Sequence, residues 1–82
     1  KHAGIVLNAG ALTHTSIAIM DAIANVELPV AEVHLSNIHR REEIYHKSLV
    51  STAATAVLAG LGPRGYRLAV EALIGMIREA KT

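Results

Sequence analysis

The sequence contains no cysteine, phenylalanine or tryptophan, and only two tyrosines. Without cysteine the chain has no disulfide, no thiol nucleophile and no cysteine-based zinc site. With so few aromatic side chains it has no stacking platform for bases, and a net charge of +1 gives it no electrostatic reason to bind nucleic acid or an anionic membrane. No apolar run approaches the roughly 18 residues of a membrane span. We therefore expect neither a nucleic-acid nor a membrane partner.

Aliphatic residues dominate the composition. Hydrophobic residues make up 51% of the 82 positions and charged residues 18%, which excludes a disordered chain. The sequence begins Lys1-His2-Ala3, with no starting methionine or apolar leader, so we expect a cytoplasmic protein. A chain of this length buries only about 60–65% of its unfolded surface, yet this composition suits a larger interior. The mismatch indicates a part of a larger domain.

Apolar, β-branched runs alternate with helical patterns along the chain. We predict strands over 4–7, 29–35 and 53–59, helices over 16–25 and 64–79, and one helical turn at 40–43 in a polar stretch. Strands that are continuously apolar and alternate with helices indicate a parallel α/β sheet covered on both faces. The last helix is predicted to bury one apolar face, made of Tyr66, Ala69, Val70, Leu73 and Ile77.

Polar residues follow the first two predicted strands at the points where these strands end. Asn8 ends the first, the segment from His34 to Ser36 ends the second, and His14 precedes the first helix. Ligands of parallel sheets bind beyond the carboxyl ends of the strands, so we expect these residues to meet at one rim. The alternative is that Asn8 caps a turn and His34 is an ordinary core histidine.

His34 is the natural proton-transfer group of this rim, because imidazole has a reference pKa of about 6.5. Glu32 lies two residues earlier, on the same strand face. A carboxylate in an apolar strand is costly without a partner, so Glu32 either orients His34 or pairs with an arginine elsewhere. Leu35-Ser36-Asn37 supplies backbone N–H groups and a hydroxyl that suit a carboxylate or a ring hydroxyl, although such residues also make turns.

Two further patterns compete for a role. The five histidines contain no i, i+4 pair and no HExxH motif, so we expect no metal. The segment from Gly60 to Gly65 (GLGPRG) has the letters of the dinucleotide fingerprint GxGxxG. It lacks the following strand with an acidic residue about 20 positions on, so we expect a tight turn with Pro63 near the first helical position.

Longer motifs resemble one enzyme family. The segments from Asn8 to Ser16 (NAGALTHTS) and from Glu32 to His39 (EVHLSNIH) resemble two signatures of the type II 3-dehydroquinate dehydratases. Arg41-Glu42-Glu43 and the segment from Gly60 to Ala69 (GLGPRGYRLA) continue the resemblance in the same order. The resemblance covers nearly the whole chain.

The resemblance implies a flavodoxin-like fold, a parallel sheet with helices on both faces. This chain would supply the last three strands and the last two main helices, so residues 1–82 would be the C-terminal portion of a single domain. The absent N-terminal portion would carry the catalytic tyrosine and an essential arginine. The resemblance also implies trimers grouped into dodecamers, so we expect a large homo-oligomer.

The resemblance implies a reaction, the loss of water from 3-dehydroquinate by anti elimination through an enolate, with no cofactor and no metal. The tyrosine of the absent portion would take a proton from the carbon next to the ketone. His34 would then be the general acid that protonates the leaving hydroxyl, and Asn8 would hold that hydroxyl or orient His34. Glu32 would support His34.

Substrate-binding roles follow from the same resemblance. The backbone N–H groups of Leu35 and Ser36, with the Ser36 hydroxyl, would bind the substrate carboxylate. His14 would contact a ring hydroxyl, and Asp21 would approach the site of a neighbouring subunit. One position departs from the family, because Tyr45 stands where many members have an arginine that contacts substrate hydroxyls.

The resemblance leaves alternatives open. Tyr45 implies either a lower affinity or compensation by Lys47 or Arg40. The chain is either part of a working dehydratase or a catalytically incompetent, oligomer-forming remnant that only binds carboxylate ligands. A dehydratase of this kind would serve the shikimate pathway or quinate catabolism, since both use this reaction.

Overall fold

The computed structural model describes residues 3–40 and 47–80. Within these ranges the chain forms strands and helices in alternation: β1 (Ile5–Leu7), α1 (Ile17–Asn25), β2 (Val30–His34), β3 (Ala56–Ala59) and α2 (Arg64–Ala80). Short 3₁₀ helices occupy Gly10–His14, Ile38–Arg40 and Val50–Thr52. None of the helices in the described ranges has the length and apolarity needed to cross a membrane.

The strands form one parallel sheet in the order β1-β2-β3. Leu7 lies opposite Glu32, and His34 lies opposite Ala59. Every residue of β2, the central strand, is buried. Because the strands are parallel, β1 and β2 end at the same edge of the sheet, as the alternating pattern predicts.

The two faces of β2 have different chemistry, because successive side chains of a strand point to opposite sides. Ala31 and Val33 pack against α2, where they form a buried cluster with Ala69 and Leu73. Glu32 points the other way, toward the 3₁₀ helix Gly10–His14 and the segment 48–51, where its hydrogen-bond partners lie. One face of the sheet is therefore apolar and the other holds a polar network.

The third strand is shorter than predicted. The expected strand over 53–59 begins only at Ala56, and the chain before it is wound into a turn. The N–H groups of Ala53 and Ala54 both donate to the carbonyl of Val50, at 3.1 and 3.0 Å. Alanine has little preference for a strand, so these local bonds decide the conformation. The predicted helical turn at 40–43 lies outside the described residues except for Arg40, which ends a 3₁₀ helix.

The buried face of α2 differs in part from the prediction. Ala69 and Leu73 are buried as expected, but Tyr66 and Val70 are 40% and 47% exposed. Gly65 takes the buried position in the first turn, because a Cβ there would lie 3.2 Å from Val33 Cγ1. The absence of a side chain at this position lets the helix approach the sheet closely.

The turn before α2 explains its glycines without a bound nucleotide. Gly60 and Gly62 have φ angles of +83° and +63°, which favour glycine. Their N–H groups donate to the carbonyls of His34 and Leu35 at 3.2 and 2.8 Å. The turn thus fastens the end of β3 to the end of β2, which favours the tight-turn interpretation.

Candidate active site

A cavity of about 360 Å³ opens at the carboxyl ends of β1 and β2. We call it the rim cavity. Sequence reasoning expected polar residues from separate segments to meet here, and the structure brings five of the predicted site residues together. The lining consists of Asn8, Gly10, Ala11, His14, His34, Leu35, Ser36 and Ile38.

Asn8 reaches the rim cavity from the residue after β1. Its Oδ1 accepts a hydrogen bond from the N–H of Gly10 at 3.0 Å, which shapes the turn into the following 3₁₀ helix. Its Nδ2 donates to the hydroxyl of Tyr66 at 2.9 Å. Asn8 therefore shapes a turn, as the alternative interpretation expected, and also lines the cavity, while its part in binding stays a prediction.

His34 is the last residue of β2, and its ring is held from behind by a buried carboxylate. His34 Nε2 is hydrogen-bonded to Oε2 of Glu32, whose side chain is completely buried. Nδ1 is therefore the ring nitrogen left for a molecule in the rim cavity. Among the described residues, the Glu32 carboxylate pairs with His34 and not with an arginine. Glu32 therefore orients the imidazole.

Three hydroxyl groups complete the surroundings of Glu32. Thr13 Oγ1 and Ser48 Oγ lie 2.9 Å from Oε2, and Ser51 Oγ lies 2.6 Å from Oε1. We call Thr13, Ser48 and Ser51 the hydroxyl cluster. Burial raises the pKa of Glu32, but the hydrogen bonds from Ser51, His34 and the other hydroxyls outweigh it and hold the pKa below its usual value. Glu32 is consequently an anion at neutral pH despite its burial.

His14 also lines the rim cavity, and the tautomer of its neutral ring follows from its hydrogen-bond partner. Its Nδ1 is 2.7 Å from the backbone carbonyl of Lys47. A carbonyl only accepts, so Nδ1 donates and a neutral His14 has Nε2 as its acceptor atom. The N–H of Leu49 donates to the carbonyl of Thr13 at 2.7 Å, so the two segments are joined twice.

The remaining sequence candidates lie outside the rim cavity. Asp21 is exposed on α1, and its backbone carbonyl accepts a hydrogen bond from Asn25 Nδ2. Its approach to a neighbouring subunit stays a prediction. Arg40 lines a second groove that shares Ser36 with the rim cavity, whereas Tyr45 lies outside the described residues.

Sequence reasoning missed the hydroxyl cluster and the contact of Tyr66. Ser16 caps α1 and accepts from the N–H of Ile19 at 3.1 Å, whereas Thr13 binds Glu32. The signal that could have found the hydroxyl cluster is Glu32 itself. A carboxylate predicted inside a buried strand needs several donors, and hydroxyl residues are the donors that need no second charge.

The site as a whole has an acid–base pair and hydrogen-bonding groups around a small cavity. In the segments 3–40 and 47–80, no three His, Asp or Glu side chains come together in a way that would hold a metal ion. His34 with Glu32 can give or take a proton, and Asn8, His14 and Ser36 can bind hydroxyl or carboxylate groups. Such an arrangement suits proton-assisted chemistry on a small polar molecule.

Comparison with known families gives one clear match. Residues 1–74 match the family model described as "Dehydroquinase class II". The chain is 60% identical over 72 residues to a 3-dehydroquinate dehydratase of Chlorobaculum tepidum, covering 88% of this chain and 49% of that protein. It is 55% identical over 75 residues to a catabolic 3-dehydroquinase of Botryotinia fuckeliana, covering 92% and 49%. The resemblance predicted from the motifs is confirmed.

Solved structures give the same result for the fold. A type II dehydroquinase from Butyrivibrio crossotus superposes with a TM-score of 0.85 at 43% identity, over 87% of this chain and 50% of that one. The type II dehydroquinase from Propionibacterium acnes superposes with a TM-score of 0.82 at 47% identity, over 85% and 52%. The flavodoxin-like α/β class is thereby confirmed, and the chain spans about half the length of the relatives that it matches.

Proposed function

Since the chain belongs to the type II dehydroquinase family, we propose that it contributes to a lyase that dehydrates 3-dehydroquinate to 3-dehydroshikimate. The observation that carries the proposal is the pair at the floor of the rim cavity. A buried, ionised Glu32 holds Nε2 of His34, which leaves Nδ1 for a substrate. Both residues of this pair, Glu32 and His34, belong to this chain.

In this proposal His34 is the general acid of an elimination through an enolate. A base removes a proton from the carbon next to the ketone, and the carbon–oxygen bond of the leaving hydroxyl then breaks. His34 delivers its Nδ1 proton to that hydroxyl, which leaves as water. The Glu32 carboxylate stabilises the imidazolium before the transfer and keeps the proton on Nε2 afterwards, as carboxylates do in other catalytic pairs with histidine.

The other residues of the rim cavity would bind the substrate. Asn8 would hold the leaving hydroxyl beside His34, with its amide fixed by its two hydrogen bonds. Leu35 and Ser36 follow His34 directly and would hold the substrate carboxylate with their N–H groups and the Ser36 hydroxyl. His14, with Nδ1 donating to a backbone carbonyl, would accept from a ring hydroxyl.

The base of the reaction is assigned to a part of the protein other than these 82 residues. We infer that this chain is the C-terminal portion of the domain and that the catalytic tyrosine and arginine come from the N-terminal portion. The expected trimer-based homo-oligomer, with Asp21 near a neighbouring site, belongs to the same proposal. So does the cytoplasm as the place of the reaction.

The test is the appearance of the enone product by ultraviolet absorbance when the 82-residue chain meets 3-dehydroquinate, with and without the N-terminal half of a family member. We expect product only when that half is present. His34→Ala should abolish product in the same mixture, and His39→Ala, an exposed histidine outside the rim cavity, should not. Equal activity of the His34→Ala mixture would overturn the role of His34.

A second candidate keeps the carboxylate site without the reaction. In it the chain, which covers 49% of a relative, would bind carboxylate ligands at Leu35 and Ser36 without turnover. The same mixtures distinguish the two candidates. Binding of a carboxylate ligand to the chain, together with no product in the complemented mixture, would favour the remnant.

A further inference from the structure

The two carboxylate oxygens of Glu32 have different partners. Oε2 is approached by His34 Nε2 and by two hydroxyls, those of Thr13 and Ser48, each at 2.9 Å. Oε1 accepts a hydrogen bond from Ser51 Oγ at 2.6 Å. Among the residues that the structure describes, Ser51 is the hydroxyl that serves this second oxygen.

Proton counting separates the three hydroxyls. The oxygens of Thr13 and Ser48 lie 2.7 Å apart, a distance that requires a proton between them. Each hydroxyl has one proton. If Thr13 donates to Ser48, only Ser48 is left to donate to Glu32, and the converse holds as well. Thr13 and Ser48 are therefore alternative donors for Oε2, whereas no such alternative exists for Ser51.

We propose that Ser51 is the positioning residue that fixes the Glu32 carboxylate against His34, and that Thr13 and Ser48 substitute for each other on the opposite oxygen. The proposal rests on the proposed function, because it assigns the support of the proposed general acid. Ser51 does not line the rim cavity, so it acts through Glu32 and not on a bound molecule.

The backbone around Ser51 suits this role. Ser51 belongs to the 3₁₀ helix Val50–Thr52, which is anchored by the completely buried Val50. Its own N–H donates to Ser48 Oγ at 3.0 Å, so the hydroxyl cluster is tied together by the backbone as well. Burial works to raise the pKa of Glu32, and the hydrogen bond from Ser51 is among those that lower it.

Other ionisable groups on the surrounding segments are His14, Lys47, His39 and Arg40. His14 donates to the backbone carbonyl of Lys47, and Arg40 lines the groove beyond Ser36. Burial and the hydrogen bonds from His34 and the hydroxyl cluster set the direction of the Glu32 pKa shift. A titration of Glu32 therefore reports on the cluster.

The experiment follows the carboxyl carbon of Glu32 by ¹³C NMR in the 82-residue chain as the pH is lowered. Ser51→Ala should raise the titration midpoint by about one pH unit, because a charge-assisted hydrogen bond to the anion is lost. Ser51→Thr keeps a hydroxyl and should restore the wild-type midpoint. Thr52→Val is the matched control, since Thr52 donates to the carbonyl of Leu49 in the same turn and should leave the midpoint unchanged.

The proposed substitution of Thr13 and Ser48 for each other can be tested independently of Ser51. Thr13→Val and Ser48→Ala should each move the midpoint by less than about a quarter of a unit, and the double variant should move it by about one unit, more than the sum of the two. Additive single effects would overturn the redundancy, and an unmoved midpoint in Ser51→Ala would overturn the role of Ser51. If Ser51→Ala does not fold, Ser51→Cys replaces it, because a thiol is a weak donor and should also raise the midpoint.

This measurement needs no turnover, so its failure differs from a failure of the proposed function. A raised midpoint in Ser51→Ala with no enone from the complemented chain would sink the proposed dehydration and keep the role of Ser51 toward Glu32. Enone formation together with an unmoved midpoint in Ser51→Ala would keep the proposed dehydration and overturn the role of Ser51.

Discussion

Asn8 and Tyr66 lie 58 positions apart, and Asn8 Nδ2 donates a hydrogen bond to the phenol oxygen of Tyr66 at 2.9 Å. Asn8 follows β1 and Tyr66 lies in the first turn of α2, so the bond ties the helix to the rim of the sheet. The N–H of Gly10 occupies Oδ1 on the other side of the amide. The two partners fix which end of the amide is the donor, and one of them comes from outside the rim cavity.

Tyr66→Phe tests this relationship, because it keeps the ring and removes the acceptor. We expect the free energy of unfolding to change by less than about 1 kcal/mol, since the bond is exposed. The Asn8 amide would then be held only by the N–H of Gly10 and would be less well ordered, so kcat/KM of the complemented chain should fall about three- to tenfold. Initial rates of enone formation over a range of substrate concentrations measure this change.

Arg67→Gln is the control for Tyr66→Phe, because Arg67 is exposed in the same turn of α2. It should leave kcat/KM unchanged. An equal loss in both variants would mean that the first turn of α2 has shifted, and an unchanged Tyr66→Phe would show that Asn8 does not depend on this bond.

The position of the site was predictable from the sequence, but the hydroxyl cluster around Glu32 was not. Parallel strands end at one edge by topology, so residues such as Asn8 and His34 could be placed together from the strand pattern alone. Thr13 and Ser48 are 35 positions apart, and their meeting depends on how irregular segments fold over the sheet. Periodicity carries no information about such segments, which is why the hydroxyl cluster was missed.

Glu32→Gln should damage both stability and turnover. The carboxylate only accepts hydrogen bonds, whereas an amide has two N–H donors that would face the donors already present around Glu32. We expect the free energy of unfolding to fall by about 1–3 kcal/mol, measured by urea denaturation. Turnover of the complemented chain should fall at least about tenfold, mainly in kcat, because His34 loses its anionic partner.

Glu27→Gln is the matched control for Glu32→Gln, since Glu27 is exposed after α1. Neither its unfolding free energy nor its turnover should change. A Glu32→Gln variant with wild-type kcat would contradict the pairing of Glu32 with His34 during the reaction.

The fold was predictable where apolar residues form uninterrupted runs. The bounds of β1, α1 and β2 lie within one or two residues of the predicted ranges. The third strand was predicted to start at Ala53 but starts at Ala56. The N–H groups of Ala53 and Ala54 form local turn hydrogen bonds instead of strand pairing. On α2 the helical period was right, but Val70 is exposed because Gly65 and Ala69 let the small-residue side of the helix face the sheet.

Adjacent residues of α2 provide a test of this packing. Leu73 is 5% exposed in the cluster with Ala31 and Val33, whereas Ile74 is 44% exposed. Leu73→Ala should lower the free energy of unfolding by about 2–4 kcal/mol, because it leaves a cavity against the sheet. Ile74→Ala should lower it by less than about 1 kcal/mol. Urea denaturation of both variants measures the difference, and equal losses would contradict the orientation of α2.

The stability of the chain should fall in acid because of Glu32. Its pKa is lower in the folded chain than in the unfolded chain, so the unfolded state binds more protons as the pH drops. The stabilisation is complete above the unfolded pKa of about 4.3 and is lost as the pH falls through the lower, folded value. The free energy of unfolding, measured in urea between about pH 6 and about pH 3, should therefore decline more steeply for the wild type than for Glu32→Gln.

Glu27→Gln should follow the wild-type acid profile, because it leaves Glu32 and the hydroxyl cluster intact. Parallel acid profiles for the wild type and Glu32→Gln would mean that Glu32 has the same proton affinity in the folded and unfolded chains. That result would contradict the finding that the hydrogen bonds at this carboxylate outweigh the effect of its burial.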